Sequence, residues 1–178
     1  MQSNWKNREK DILGSHKLTV LWCSIYMISL LWITLFKLGV RFAYMENRIV
    51  HLVPFTGSEI DSSEIMLNVF IFVPLGIYTG LLYKKWSIGT SVLFFFLFSL
   101  LIEGLQYFLK AGAFDSTDIM TNTTGGMVGI FILRLIEYLF KRTSKAQKFI
   151  NILASIATVL VILFLFLLKT NHLWIRYQ

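Results

Sequence analysis

Five long apolar segments constrain the fold of this chain more than any other feature. They cover approximately residues 18–38, 64–83, 88–109, 116–140 and 149–168. About 20 apolar residues in a helix cross the hydrocarbon core of a bilayer. Backbone polar groups in lipid must be paired within the protein, which favours helices. The sequence therefore predicts an all-α integral membrane protein, with residues 1–178 forming a single bundle of about five transmembrane helices.

Composition supports the membrane class. The 178 residues are 56% hydrophobic and 15% charged, whereas soluble domains average about 25% charged residues. The net charge of +7 does not indicate nucleic acid, because the basic residues cluster between the apolar segments. The expected surroundings are the lipid bilayer of the cell membrane. The single cysteine, Cys23, excludes an internal disulfide.

Two segments need individual comment. The first, 18–38, is too long for the core of a signal peptide and lacks a small-residue cleavage site, so we interpret it as a retained signal-anchor. The last, 149–168, we interpret as a purely apolar span that follows a basic linker at 141–148.

The basic residues predict the orientation. With the N-terminus in the cytoplasm, the inner segments hold ten of them: Lys6, Arg8, Lys10, Lys17, Lys84, Lys85, Lys141, Arg142, Lys145 and Lys148. The outer segments hold five: Arg41, Arg48, Lys110, Lys169 and Arg176. Cytoplasmic loops of membrane proteins are enriched in Lys and Arg. We therefore predict a cytoplasmic N-terminus and an extracellular C-terminus.

The unusual chemistry is concentrated between Phe98 and Gly129, where the third and fourth segments meet at a polar turn. Glu103 and Gln106 are three residues apart, and Asp118 and Asn122 are four apart, so each pair shares a helix face. At about 1.5 Å per residue, Glu103 and Asn122 lie at similar depths below the turn. The spacing predicts a polar cavity open to the outer surface.

Further polar residues complete the predicted cavity, with Asn68 on its far wall and the Arg48/His51 loop over its mouth. A carboxyl group inside a membrane helix is energetically costly, and structure alone rarely requires one. Glu103 is therefore the leading functional candidate. A Glu103–Arg48 ion pair is the structural alternative. For His51, a role as proton acceptor and an ordinary interfacial position are equally open.

Other polar positions also have structural alternatives. Asp115 precedes a helix and can cap it or act directly, and Asp118 can simply complement the positive end of that helix. The pairs Gly76/Gly80 and Gly125/Gly129 allow helices to approach closely. Such pairs serve contacts within and between chains alike, so the oligomeric state stays open.

The sequence lacks the common signatures of NTPases, zinc proteases and hydrolases. Glu103, Asp115, Asp118 and His51 have the chemistry of acid–base groups or metal ligands, but their spacing is diagnostic of neither. No metal or cofactor is assigned. A basic lid over an acidic interior suits an amphiphile, such as a lipopeptide or a lipid-linked wall precursor.

Four blocks of the sequence resemble the VanZ family of small membrane proteins, associated with teicoplanin resistance in Gram-positive bacteria. The blocks are Asn47–Thr56, Asn68–Gly76, Ser99–Phe108 and Ala111–Gly129. The resemblance implies motif positions at Arg48, Pro54, Phe55, Asn68, Pro74, Gly76, Glu103, Gln106, Asp115, Asp118, Asn122 and Gly126. One position departs from the family pattern, which would place Asn where this chain has His51.

The resemblance implies low-level resistance to glycopeptides, teicoplanin in particular, without implying a reaction. The leading hypothesis is a pocket that engages the lipoglycopeptide or a lipid-linked peptidoglycan precursor, formed by Arg48, His51, Asn68, Glu103, Gln106, Asp115, Asp118 and Asn122. The alternative is a membrane enzyme that modifies a lipid-linked envelope substrate, with Glu103, Asp118 or His51 as the catalytic candidates. A third is a partner-binding protein that docks through its glycine faces.

Overall fold

The computed structural model describes residues 2–36, 49–55, 62–141 and 143–169, with side chains for 13–34, 49–55, 62–141 and 143–159. These residues form five helices and one short parallel strand pair. The order is α1 (Gln2–Phe36), β1 (Val50–His51), α2 (Ser62–Leu82), α3 (Ile88–Leu109), β2 (Phe114–Asp115), α4 (Ser116–Phe140) and α5 (Thr143–Lys169). The predicted all-helical architecture is confirmed. The predicted limits of α3 and α4 match the observed ones, and those of α2 agree within two residues.

Four of the helices are long and apolar enough to cross a membrane. The crossing segments are Leu13–Thr34, Ser62–Leu82, Ile88–Leu109 and Ser116–Phe140. Because a soluble fold would bury such segments, their exposed apolar side chains, such as Ile88 and Phe131 at about 70% exposure, indicate contact with lipid. The chain is therefore a multi-pass membrane protein. Whether α5 provides a fifth crossing stays a prediction.

Two boundaries differ from the predicted ones. Helix α1 begins at Gln2, well before residue 18, and α5 begins at Thr143, inside the predicted linker 141–148. The α5 addition consists mostly of Lys, Gln and Ala, which favour helix, and neither addition contains proline. Polarity marks where a membrane segment ends, whereas the helix continues past it. The last segment is also not purely apolar, because it contains Asn151.

Helix α4 lies at the centre of the bundle and packs most extensively against α2. Glycines make this contact possible, as predicted. A Cβ atom added to Gly76 would overlap the carbonyl group of Gly126, and one added to Gly129 would overlap the carbonyl oxygen of Val73. The two backbones are therefore in direct contact, which only glycine permits at these positions.

Around this contact lies the apolar core. Leu30, Phe72, Leu75, Phe95 and Ile102 form one buried cluster at the junction of α1, α2 and α3. The ring of Phe95 occupies the space beside Gly126, where an added Cβ atom would lie 2.6 Å from the ring. A second cluster of Leu81, Leu133 and Ile150 joins α2, α4 and α5. These clusters hold α2, α3 and α4 at fixed positions and so define the site between them.

Candidate functional site

The turn between α3 and α4 is fixed by local backbone chemistry. Lys110 adopts a left-handed conformation, φ 55°, and ends α3, while the Asp115 side chain caps α4 by accepting a 2.7 Å hydrogen bond from the Thr117 amide. The Thr117 hydroxyl oxygen in turn accepts a 3.1 Å bond from the Phe55 amide. Of the two alternatives for Asp115, capping or a direct role, the structure shows the capping contact.

The same turn holds the loop that precedes α2. Strands β1 and β2 pair in parallel, with Val50 opposite Phe114 and His51 opposite Asp115. The Phe114 amide donates a 3.0 Å bond to the Ile49 carbonyl group. Residues 49–55 are thus anchored at the end of the bundle where the polar residues of α3 and α4 converge.

Glu103 lies beneath this turn and is only 2% exposed. Its Oε2 atom accepts a 3.1 Å hydrogen bond from the backbone N–H of Asp115. The carboxyl group therefore joins α3 to the start of α4. Burial of an ionised carboxyl group is costly unless it is paired or hydrogen-bonded, and this contact supplies one such bond. Arg48, its partner in the alternative ion pair, lies outside the described residues.

Asp118 faces α2 from the first turn of α4. The Asn68 Nδ2 atom donates a 2.6 Å hydrogen bond to Asp118 Oδ1. Asn68 lies 50 residues earlier in the chain, so this contact closes the polar end of the α2–α4 pair. Below it, the helices meet through their glycines. The predicted placement of Asn68 opposite the polar face of α4 is confirmed.

Two buried amides complete the cluster. Asn122 is 3% exposed and donates a 2.9 Å hydrogen bond from Nδ2 to Ser99 Oγ. Gln106 is 4% exposed and donates a 2.6 Å bond from Nε2 to the backbone carbonyl of Thr34 on α1. In the described part of the chain, no donor reaches Asn122 Oδ1, a fully buried oxygen. The cluster therefore retains an unused acceptor.

These side chains line one cavity of about 750 Å³ between α1, α2, α3 and α4. We call its polar lining residues, whichever helix they belong to, the polar wall: Thr34, Ser63, Glu64, Asn68, Glu103, Gln106, Asp118 and Asn122. We call its apolar lining residues the apolar wall in the same sense: Ile33, Leu67, Phe70, Ile71 and Ile102. The volume is within the range of small-molecule sites. An amphiphile also combines a polar and an apolar part.

The structure brings together five of the eight predicted pocket residues in this lining: Asn68, Glu103, Gln106, Asp118 and Asn122. Asp115 contributes its backbone amide to Glu103 but is not among the described lining residues, and neither is His51. The side chain of His51 is exposed at the end of the bundle. Arg48 lies outside the described residues, so its predicted position over the mouth stays a prediction.

Within the described residues, no three His, Cys, Asp or Glu side chains form a group that could hold a metal ion. The acidic residues of the cavity are distributed over α2, α3 and α4. Acid–base chemistry by Glu103 or Asp118 therefore stays a hypothesis that the arrangement neither requires nor contradicts.

Sequence reasoning missed two contacts of the cluster. Ser99 lies four residues before Glu103 on the same face of α3, so helical spacing was the signal that could have found it. Thr34 takes part through its backbone carbonyl, which no side-chain pattern reveals. The apolar wall was also missed, because its Leu, Phe and Ile residues look like any other lipid-facing residues.

A second buried polar cluster, between α1 and α5, was not predicted either. Gln147 Nε2 donates a 2.8 Å hydrogen bond to Thr19 Oγ1, and Asn151 Nδ2 donates a 2.9 Å bond to the Ser15 carbonyl. The Thr19 hydroxyl also lies 3.0 Å from Asn151 Oδ1. Ser15/Thr19 and Gln147/Asn151 both have a spacing of four, the spacing that identified Asp118 and Asn122. We call these four residues the α1–α5 cluster.

Comparison with known proteins assigns the family. The family model described as VanZ/LLP1 matches residues 23–137, well over half of the chain and all of α2, α3 and the cavity-lining part of α4. The chain belongs to the VanZ family. Protein VanZ of Enterococcus faecium is 30% identical to it over 157 residues, which cover 86% of this chain and 93% of that protein.

No solved structure matches this chain. The VanZ family match covers both polar helix faces of the cavity and the glycine contact beneath them. All four residues of the α1–α5 cluster lie outside it, since the family model begins at Cys23 and ends at Glu137.

Proposed function

We propose that this protein lowers susceptibility to glycopeptide antibiotics, teicoplanin in particular, by engaging an amphiphile in the cavity between α1, α2, α3 and α4. The amphiphile is the lipoglycopeptide itself or a lipid-linked wall component. Membership of the VanZ family supports the resistance function. The single observation that carries the cavity role is that its lining combines buried polar groups with apolar side chains.

The apolar wall continues onto the lipid-facing surface of α2. Leu67 and Phe70 line the cavity, yet each is about 65% exposed. An acyl chain lying against these two side chains stays in the hydrocarbon layer while its head group enters the polar end. Such binding removes little apolar surface from lipid, so the affinity depends on the polar groups.

The orientation of the protein in the membrane determines which leaflet the cavity meets. The distribution of Lys and Arg supports a cytoplasmic N-terminus, and with α5 as a fifth crossing the C-terminus would lie outside. The α3–α4 turn then faces the extracellular side, and the cavity meets the outer leaflet of the Gram-positive cell membrane. Lipidated drugs and lipid-linked wall precursors both occupy this leaflet.

Antibiotic susceptibility of a sensitive Gram-positive host tests this proposal. Cells that express the protein should tolerate more teicoplanin than cells with empty vector, whereas vancomycin, which lacks the acyl chain, should show little change. Equal protection against both drugs would contradict the role of the acyl chain. No protection against either would contradict the resistance function itself.

The enzymatic alternative makes a different prediction for the same cells. A membrane enzyme that acts on a lipid-linked substrate changes the inventory of wall precursors or lipids. Protection with an unaltered inventory supports binding, and a new or depleted precursor supports catalysis. Mass spectrometry of extracted lipid-linked precursors makes this distinction.

A further inference from the structure

The side-chain amide of Asn122 is hydrogen-bonded at its nitrogen but, within the described residues, not at its oxygen. Its nitrogen donates to Ser99 Oγ at 2.9 Å, while its oxygen has no donor among the described residues. The side chain is 97% buried and belongs to the cavity lining. A buried acceptor without a partner costs desolvation energy that a hydrogen bond would recover. What this oxygen lacks among the described residues is therefore a hydrogen-bond donor.

The other two side-chain amides of the cavity also donate from their nitrogen to a protein acceptor. Asn68 Nδ2 donates to Asp118 Oδ1, and Gln106 Nε2 donates to the Thr34 carbonyl, both at 2.6 Å. Each amide nitrogen therefore already uses an N–H group on a protein acceptor. Amide oxygens and ionised carboxyl groups only accept hydrogen bonds. Among the buried side-chain atoms of the lining in the described part of the chain, Asn122 Oδ1 is the one without a hydrogen-bond partner.

We propose that the Asn122 amide turns into the cavity on binding and that its Oδ1, fully buried in this structure, then accepts a hydrogen bond from the head group of the amphiphile. The site then selects amphiphiles whose head carries an N–H or O–H group over those of equal charge and chain length that carry none. This inference rests on the proposed function, since it names the head-group chemistry for the same cavity. Ser99 is a positioning residue, because its bond to Nδ2 determines which end of the amide remains available.

Two matched pairs of simple probes test the selection. Dodecylamine and dodecyltrimethylammonium both carry one positive charge at neutral pH and the same chain, but only the amine donates a hydrogen bond. Dodecanol and dodecyl methyl ether form the equivalent neutral pair, which separates donation from charge. Binding is measured on the full-length protein in lipid nanodiscs by native mass spectrometry.

We expect the wild-type protein to bind the donor of each pair about tenfold more tightly, the effect of one well-formed hydrogen bond. Asn122→Leu, of similar size, should reduce that ratio to about one. Asn122→Asp retains acceptor oxygens and should keep the preference. Ser99→Ala should lower the preference by releasing the amide, with little effect on binding of the ether.

The outcomes separate the two proposals. Equal binding of donor and non-donor by the wild-type protein overturns the inference and leaves the amphiphile cavity intact. Binding of none of the four probes overturns the cavity role, and the inference fails with it. The wild-type ratios decide both questions without relying on any variant that fails to fold.

Discussion

The two buried polar clusters of this protein differ in how completely their hydrogen-bonding groups are paired within the protein. In the α1–α5 cluster, Thr19, Gln147 and Asn151 are each at most 7% exposed, and their side chains bond to one another and to the Ser15 carbonyl. In the cavity cluster, the carbonyl oxygen of Asn122 has no partner among the described residues. One cluster joins two helices through paired groups, and the other contains an acceptor that is not paired.

Position on the bundle reinforces the difference. Along α1, Thr19 and Thr34 are 15 residues apart, which is about 22 Å at the rise of an α-helix. The clusters therefore lie at opposite ends of the membrane-crossing part of α1. Burial of polar side chains alone does not identify a functional site in this protein. Burial combined with an unpaired acceptor and a cavity is what favours the cavity cluster as the candidate site.

A substitution at the glycine contact between α2 and α4 should have the largest effect. It should act on folding alone. In Gly76→Ala, the added Cβ overlaps the backbone of Gly126 and lies 2.9 Å from Gly129 Cα, where no side chain can move aside. We expect destabilisation by more than about 2 kcal/mol and a several-fold lower protein level in membranes, measured by immunoblot.

Gly104→Ala is the matched control for Gly76→Ala. An added Cβ at Gly104 has no atom within 4 Å, so the substitution should stabilise α3 by up to about 1 kcal/mol through helix propensity alone. Equal membrane levels of the two variants would contradict the close packing of α2 against α4.

Asp118→Asn should abolish protection without a folding defect, which would sharpen the contrast between the clusters. The replacement has the same shape and keeps an oxygen for the Asn68 bond, but it removes the ionisable group from the polar wall. We expect teicoplanin susceptibility at the level of empty vector with normal amounts in the membrane. Full protection by the variant would exclude a role for the Asp118 charge.

Asn151→Ala should have the opposite consequence. It removes the bonds to Thr19 and Ser15 from the α1–α5 cluster, at a cost of about 0.6–2 kcal/mol. We expect the Tm of the purified protein in detergent to fall by a few degrees, while protection at equal protein level is retained. Loss of protection without loss of stability would contradict the distinction between the α1–α5 cluster and the cavity cluster.

His51→Ala should have the smallest effect. Its side chain is exposed, and its place in β1 depends on backbone pairing with β2. We expect a stability change below about 0.5 kcal/mol and susceptibility within twofold of the wild type. Protection that disappears in this variant would assign His51 a direct role, such as proton acceptor.

The fold was predictable from the sequence because lipid imposes strong rules on length and polarity. Apolar segments of about 20 residues located the limits of α3 and α4, and glycine spacing identified the α2–α4 contact. Helix ends outside the membrane were not predictable, because no hydrophobic boundary marks them. For this reason α1 and α5 both begin earlier than expected, at Gln2 and Thr143.

The site was predictable only where polarity contrasted with its surroundings. Glu103, Gln106, Asp118 and Asn122 stand out in apolar segments, and their spacing placed them on converging faces. Ser99 was overlooked because a lone serine is common in membrane helices. The apolar wall gave no signal, since Leu67 and Phe70 differ from lipid-facing residues only in three-dimensional position.

A comparison of Glu103→Gln with Asn151→Ala, by teicoplanin susceptibility at equal membrane levels, most directly tests whether the cavity is the working site. Both variants alter a buried polar residue, one beneath the α3–α4 turn and one at the opposite end of the bundle. We predict that Glu103→Gln loses protection and that Asn151→Ala keeps it. Equal protection by the two variants, or loss in Asn151→Ala alone, would contradict the assignment of function to the cavity.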